Sequence, residues 1–343
     1  MVLLIGELMM RSIESHLPRR FSGDEAEVEL KYDELRSLDA AGHNPVDILF
    51  LGDSTMDAAL DPAVFAQASN RYAKPFNGAL LGQQLSSAQR WAKEFVLPQV
   101  KPRTVVLGVS PIELSGGDLF GVSQTAVEAA FDNTYDRLHP SPLGRLDADA
   151  SKESALVRNR STFRSPVEIW RALSDMVTGK KKNFFGGVPT KLEDGQTVLR
   201  SSANWKKYFI LPRGGTTTYW GETYNAANLQ PLGESERKSI RNNTVDIAQI
   251  TRLLNIVEAS GAGRIVLLIP PTNLRGLIQA GGSMTSWNRN TNTIKDFAKD
   301  HDLPLIDFSR ADWPDDDYFD IAHLSKKGSA RFSTELASVV DAL

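Results

Sequence analysis

Short, uninterrupted hydrophobic runs alternate with amphipathic stretches over much of the chain. Runs without polar alternation are typical of strands that are buried on both faces of a parallel sheet. We predict such strands at 46–51 (VDILFL), 75–77, 104–107 (TVVL), 264–269 (RIVLLI) and 304–307. Hydrophobic residues at helical spacing predict helices after Asp61-Pro62 and at 83–95, 243–259, 290–299 and 325–343. This alternation predicts an α/β fold, a three-layer sandwich with a mainly parallel sheet.

Residues 115–234 interrupt this alternation with polar loops, glycine-rich turns and scattered aromatic side chains. We interpret them as one long insertion, or cap subdomain, that divides the α/β domain into residues 46–114 and 235–343. Its aromatic rings could cover the faces of a sugar, although core packing is the more common role of any single ring. The rings in question are Trp170, Trp205, Tyr208, Tyr219 and Trp220.

Residues 1–45 predict an N-terminal helix followed by a linker. Leu4, Leu8, Ile13 and Leu17 fall on one side of an amphipathic helix, and Glu7 interrupts a run that is shorter than the ~20 apolar residues needed to span a bilayer. The same run also fits the remnant of a truncated membrane anchor, and both interpretations stay open. Residues 18–45 are polar and partly acidic, so we expect a connecting segment there.

The composition narrows the classes of function. The chain has 343 residues, 41% of them hydrophobic and 24% charged, as in ordinary globular proteins. The net charge is −3, so there is no excess of basic side chains to bind the phosphates of a nucleic acid, and we expect no nucleic-acid partner. The absence of cysteine excludes cysteine nucleophiles and thiolate metal sites. The histidines are scattered along the chain, and there is no glycine-rich loop of the kind that binds phosphates. We therefore expect neither a metal ion nor a cofactor.

Two short motifs carry residues suited to acyl transfer. Gly52-Asp53-Ser54 follows the first predicted strand, where glycine allows a sharp turn and the next helix would aim its amino end at the Ser54 hydroxyl. Asp320 precedes His323 by three residues, just before the last predicted helix. Ser54 as nucleophile, His323 as base and Asp320 as its orienting carboxylate would form a triad.

Each motif alone has a structural interpretation. A Gly-Asp-Ser turn is common in loops, and Asp320 could serve only to cap the final helix. An α/β-hydrolase is the nearest enzymatic alternative, but Met56 stands where the second glycine of Gly-x-Ser-x-Gly belongs. The positions of the two motifs, after the first strand and before the last helix, favour a shared site.

These motifs resemble those of the SGNH (GDSL-type) serine hydrolases and acyltransferases. The matching stretches are ILFLGDST at 48–55 and FDIAHLSKKGSARF at 319–332, with PFNGALLG at 75–82 and VVLGVSPIEL at 105–114 as middle blocks. The resemblance implies an SGNH/flavodoxin-like sandwich with a long inserted cap. It also implies that the backbone N–H groups of Ser54 and Gly82 bind the oxyanion. Ser110 occupies the position of the family's asparagine, so a hydroxyl replaces an amide donor.

The stretch GDSTMDAALDPAVF with VVLGVSPIEL is similar to a bacterial branch associated with the outer face of the membrane. That branch implies a serine-dependent O-acyltransferase or esterase acting on cell-surface polysaccharide or glycolipid, with an acyl-ester donor and a membrane-bound acyltransferase as partners. It implies a location at the extracytoplasmic face of the cell membrane. A cytoplasmic location is the alternative that the sequence leaves open. Ser110 leaves a second function open: a weak or inactive SGNH-fold protein that binds polysaccharide or assists assembly.

Overall fold

The computed structural model describes only part of the chain. The described residues are 2–13, 22–40, 46–81, 83, 85–112, 131, 154–155, 173–174, 177–178, 189–191, 196–199, 209–217 and 244–343. The chain divides into two compact units. One comprises Met1–Glu29, Ser123–Thr190 and Val198–Lys206, and the other comprises Leu30–Val122, Lys191–Thr197 and Lys207–Leu343. The second unit contains a parallel sheet.

The described strands are β1 (Ile48–Leu51), β2 (Pro75–Asn77), β3 (Thr104–Gly108), β4 (Pro189–Lys191), β5 (Thr197–Leu199), β6 (Arg264–Ile269) and β7 (Leu305–Asp307). The described α-helices are α1 (Val2–Ile13), α2 (Ser22–Ala40), α3 (Ser54–Ala59), α4 (Pro62–Ala68), α5 (Leu85–Arg90), α6 (Ile247–Ala259), α7 (Leu274–Gln279), α8 (Met284–Asp300) and α9 (Lys326–Ala342). A π-helical segment, Trp91–Val96, continues α5, and 3-10 turns occupy Pro212–Gly214 and Asp315–Asp317.

Five strands form one all-parallel sheet in the order β2-β1-β3-β6-β7. The predicted α/β fold with a parallel sheet is therefore confirmed, and each of the five predicted strands is present. The order corresponds to the doubly wound arrangement 2-1-3-4-5, in which successive connections reverse direction between the first and third strands. Ligands of such sheets bind outside the carboxyl ends of the strands at that switch point. Here the switch point lies between β1 and β3.

Helices flank the sheet. Ile48, Phe50 and Val106 belong to a buried cluster that also contains Phe65 of α4 and Phe332 of α9. Because side chains alternate along a strand, the residues between them point to the opposite face. Leu49, Leu51, Val105 and Leu107 are buried there as well. Burial on both faces explains why these strands are hydrophobic throughout.

Gly52 and Gly108 lie at the carboxyl ends of β1 and β3, where there is no room for a side chain at either position. A Cβ on Gly52 would lie 2.8 Å from Met56 Cγ and 3.1 Å from the Gly108 carbonyl oxygen. A Cβ on Gly108 would overlap the Met56 side chain. Gly52 is not among the residues with a positive φ. The requirement for glycine at this position therefore comes from the close packing and not from a left-handed backbone conformation.

The expectation of a connecting segment at 18–45 is wrong for its central part, since Ser22–Ala40 form α2. Val28, Tyr32 and Leu35 are buried at helical spacing. Lys31 is buried on this helix too. A charged residue among the buried positions weakens the hydrophobic pattern that a sequence shows, and for this reason the helix was not predicted.

Helix α1 exposes apolar side chains: Leu4 is 64% and Leu8 is 60% exposed. Glu7 on this helix accepts hydrogen bonds from the Ala155 N–H (2.9 Å) and the Ser154 hydroxyl (2.8 Å). No helix within the described residues is both long and apolar enough to cross a bilayer. The boundaries of the predicted insertion and the membrane-anchor interpretation stay predictions. The five aromatic residues singled out in the insertion lie outside the described residues.

Replacing Gly108 by alanine tests the close approach of β1 and β3. We expect Gly108→Ala to lower the free energy of unfolding by about 1–3 kcal/mol, because its methyl group overlaps Met56. Met56→Ala alone is expected to cost about 2–5 kcal/mol through the cavity it leaves. The double variant should lose less than the sum, since the new methyl group enters the vacated space. Urea unfolding measures all three, and strictly additive losses would contradict this packing.

Candidate active site

Ser54 is the first residue of α3, immediately beyond the carboxyl end of β1. The Asp53 carboxylate caps this helix by accepting from the Thr55 N–H (2.9 Å) and the Thr55 hydroxyl (2.5 Å). Such a cap fixes the first turn of the helix. Ser54 is therefore held at the sheet edge, at the switch point between β1 and β3.

Ser54, His323 and Asp320, which the sequence predicts to act together, lie in one hydrogen-bonded chain. Ser54 Oγ lies 2.8 Å from His323 Nε2, and both side chains are buried. His323 Nδ1 lies 2.7 Å from Asp320 Oδ2. With the Nδ1 proton donated to the carboxylate, Nε2 is the unprotonated nitrogen that can accept the serine proton. This geometry fits a nucleophile, a general base and an orienting group.

Asp320 does more than contact the imidazole. Its Oδ1 accepts hydrogen bonds from the backbone N–H groups of Ala322 (2.7 Å) and His323 (2.8 Å). The interpretation of Asp320 as a cap for the final helix is wrong, because the Ser325 hydroxyl caps α9 by accepting from the Gly328 N–H. Asp320 instead shapes the short loop that carries the histidine.

The ionisation of Asp320 follows from these contacts. Burial acts to raise the pKa of Asp320, but the charge of His323 and the hydrogen bonds from His323 and the Ala322 backbone lower it. The net effect is a pKa below the ordinary value of 3.8. The carboxylate therefore stays ionised near neutral pH and can stabilise a protonated imidazole.

The loop before α9 is anchored on both sides. The Asn273 N–H, just beyond β6, donates to the Ile321 carbonyl at 3.1 Å. The Ser325 hydroxyl donates to the Asp316 carbonyl at 2.7 Å. The Gly328 position also requires glycine, since a Cβ there would overlap the Asp317 carbonyl oxygen. These contacts hold His323 in place independently of the serine.

The structure describes two of the three predicted oxyanion donors. Ser54 begins a helix, where backbone N–H groups lack intrahelical partners. Gly82 lies outside the described residues. Ser110 is buried two residues beyond β3, and its hydroxyl oxygen accepts from the Ile112 N–H at 3.3 Å. A hydroxyl that accepts one bond can still donate its own proton.

Asn77 is a supporting residue that sequence reasoning missed. Its Nδ2 donates to the carbonyls of Asp57 (3.1 Å) and Leu60 (3.2 Å) at the far end of α3. Its Oδ1 accepts from the Ala79 N–H at 3.2 Å. Asparagine is uncommon inside buried strands, so its place at the end of β2 was a usable signal.

Apolar side chains surround the loop that carries His323. Ile321 and Ala322 belong to a buried cluster with Ile112, Leu277 and Trp287. Such a surrounding lowers the local polarity around charges that develop in a reaction. Within the described residues, no group of three histidine or carboxylate side chains could hold a metal ion.

No protein-family model matches this chain, and a search of curated proteins finds no match either. The resemblance to SGNH enzymes therefore depends on the motifs named above.

The lowered pKa of Asp320 predicts how its contribution to stability changes with pH. A carboxylate with a depressed pKa in the folded state stabilises the fold above its unfolded pKa and loses that effect as pH falls through the folded value. We expect the difference in unfolding free energy between wild type and Asp320→Asn to be largest above pH ~4 and to shrink in stronger acid. Urea unfolding at a series of pH values measures it, with Ser54→Ala as the control. A difference that grows as the pH falls would contradict the assignment.

Proposed function

We propose that this protein is a serine-dependent acyl-transfer enzyme that acts on O-acyl esters. The observation that carries the proposal is the continuous chain from Ser54 Oγ through His323 to Asp320, with contacts of 2.8 and 2.7 Å. Serine alone is a poor nucleophile near neutral pH, and a base within hydrogen-bond reach is what activates it.

The reaction would proceed in two steps. His323 Nε2 takes the Ser54 proton while Oγ attacks the ester carbonyl carbon, and the resulting oxyanion is bound by the Ser54 N–H with Gly82 and Ser110 as further donors. His323 then gives the proton to the departing alkoxide, which leaves an acyl-Ser54 ester. In the second step, water or a sugar hydroxyl loses its proton to His323 and attacks the acyl carbon. The bond from the acyl carbon to Ser54 Oγ then breaks, and His323 returns the proton to Oγ, which regenerates the enzyme.

The fold supports the same proposal. Ser54 and Ser110 follow β1 and β3, the two strands that flank the switch point of the sheet. In doubly wound sheets this is where ligands bind. We infer that the domain is an SGNH-like sandwich in which residues 115–234 form a cap.

The substrate class is inferred from the similarity of GDSTMDAALDPAVF and VVLGVSPIEL to the membrane-associated branch. On this basis the donor is an acyl ester, the acceptor is a cell-surface polysaccharide or glycolipid, and a membrane-bound acyltransferase is a partner at the extracytoplasmic face. The aromatic residues of the insertion would contact the sugar. Transfer to the sugar rather than to water requires that the cleft exclude water.

One observation favours a second function. Ser110 replaces the amide donor of related motifs with a shorter, freely rotating hydroxyl, and loss of one preorganised oxyanion donor costs about 10²–10³-fold in rate in other enzymes. A protein that binds polysaccharide without turning it over would tolerate this replacement. The intact triad opposes this second function, since binding alone does not require three aligned groups.

Replacing Ser54 separates the two functions. We expect wild type to hydrolyse p-nitrophenyl acetate and Ser54→Ala to lose at least ~10³-fold in kcat, because the nucleophile is absent. Ser333→Ala is a matched control: this buried serine accepts the Asp61 N–H at 2.9 Å on the packed side of α9. It should keep wild-type kcat.

Equal and measurable turnover by wild type and Ser54→Ala would contradict the proposal. Absence of turnover in wild type, with binding of an acylated polysaccharide unchanged in Ser54→Ala, would favour the binding function instead.

A further inference from the structure

A buried ion pair joins α2 to the helix that begins with Ser54. Lys31 Nζ lies 2.6 Å from Asp57 Oδ1, and both side chains are 0% exposed. The same ammonium group donates to the Ala79 carbonyl oxygen at 2.5 Å. Lys31 therefore contacts two segments that are distant from it in sequence.

Stability alone does not explain such a pair. Removing two charges from water carries a large desolvation cost, and replacing a buried pair by apolar residues of similar volume is often neutral or stabilising. A buried ion pair can instead fix the local geometry. The two charges offset their desolvation only while they stay in contact, so the segments that carry them are held at one distance.

One of the two segments that Lys31 contacts begins with the proposed nucleophile, and the other leads to the residue that the resemblance implies as an oxyanion donor. Asp57 lies one turn after Ser54 in α3, a helix of only six residues. Ala79 lies in the loop after β2, three residues before Gly82, the proposed oxyanion donor. Asn77 joins the same segments, since it donates to the Asp57 carbonyl and accepts from the Ala79 N–H.

We propose that Lys31 is a positioning residue that sets the distance between the helix that begins with Ser54 and the loop after β2 that holds Ala79. The inference rests on the proposed function and gives the part of α2 that contains Lys31 a role in the active site. Lys31 acts through its contacts with Asp57 and Ala79. A displacement of ~1 Å in such a site can cost ~10²-fold in rate.

The test uses a pair of substitutions that leaves no lone buried charge. Lys31→Met with Asp57→Asn removes both charges while keeping similar volumes. We expect this double variant to fold and to lose at least ~10-fold in kcat on p-nitrophenyl acetate, with KM within about 2-fold of wild type. A loss confined to kcat is the signature of misplaced catalytic groups.

Glu34→Ala on the same helix is the matched control. Glu34 accepts from the Arg213 N–H (2.5 Å) and the Gly214 N–H (3.1 Å), so its loss weakens the packing of α2 without touching α3. We expect this variant to lower the thermal midpoint while kcat stays at the wild-type value. A comparable loss of kcat in Glu34→Ala would show that any weakening of α2 suffices and would overturn a specific role for Lys31.

A second variant covers the case in which the double variant does not fold. Lys31→Arg keeps the positive charge on a wider group and should shift α3 relative to the Ala79 loop, again lowering kcat more than KM. Wild-type kcat in any folded variant of Lys31 would overturn the inference and leave the proposed function intact. Absence of turnover in wild type itself would overturn the proposed function, and the inference with it.

Discussion

The hydrogen bond between Ser54 Oγ and His323 Nε2 joins residues that are 269 positions apart in the chain. The parallel sheet makes this contact possible, because all five strands end at the same edge. Ser54 lies at that edge because it follows β1, and His323 lies there because it belongs to the loop between β7 and α9. The Asp320 contacts and the Asn273–Ile321 hydrogen bond then keep the imidazole oriented toward the hydroxyl. The proposed chemistry therefore depends on this one contact and on the edge that supports it.

Much of this arrangement could be predicted because its causes are local in sequence. Strands buried on both faces are continuous hydrophobic runs, so β1, β3 and β6 were evident. Ser54, Asp320 and His323 stand next to recognisable element boundaries. The positions of their two motifs, after the first strand and before the last helix, together with the resemblance to SGNH enzymes, favoured grouping them. The bounds of the helices were less predictable: the predicted helix at 83–95 is divided between α5 and a π-helical segment.

The parts that were not predicted involve polar groups whose partners are far away in sequence. Lys31 interrupts the hydrophobic side of α2, and its partner Asp57 lies 26 residues further along. Nothing in the local pattern distinguishes a buried, paired lysine from a solvated one. The reason for glycine at position 52 was equally hidden, because it depends on Met56 and on the neighbouring strand. Long-range polar contacts of this kind require a structure.

A reactive-serine probe tests the central claim most directly. After incubation of the native protein with a fluorophosphonate, peptide mapping by mass spectrometry identifies the residue that carries the phosphonyl group. The account predicts a single adduct on Ser54 that forms rapidly in wild type and is strongly slowed in His323→Ala, because the base activates the hydroxyl. No adduct in wild type, an adduct on another residue, or an equal rate without the imidazole would contradict it.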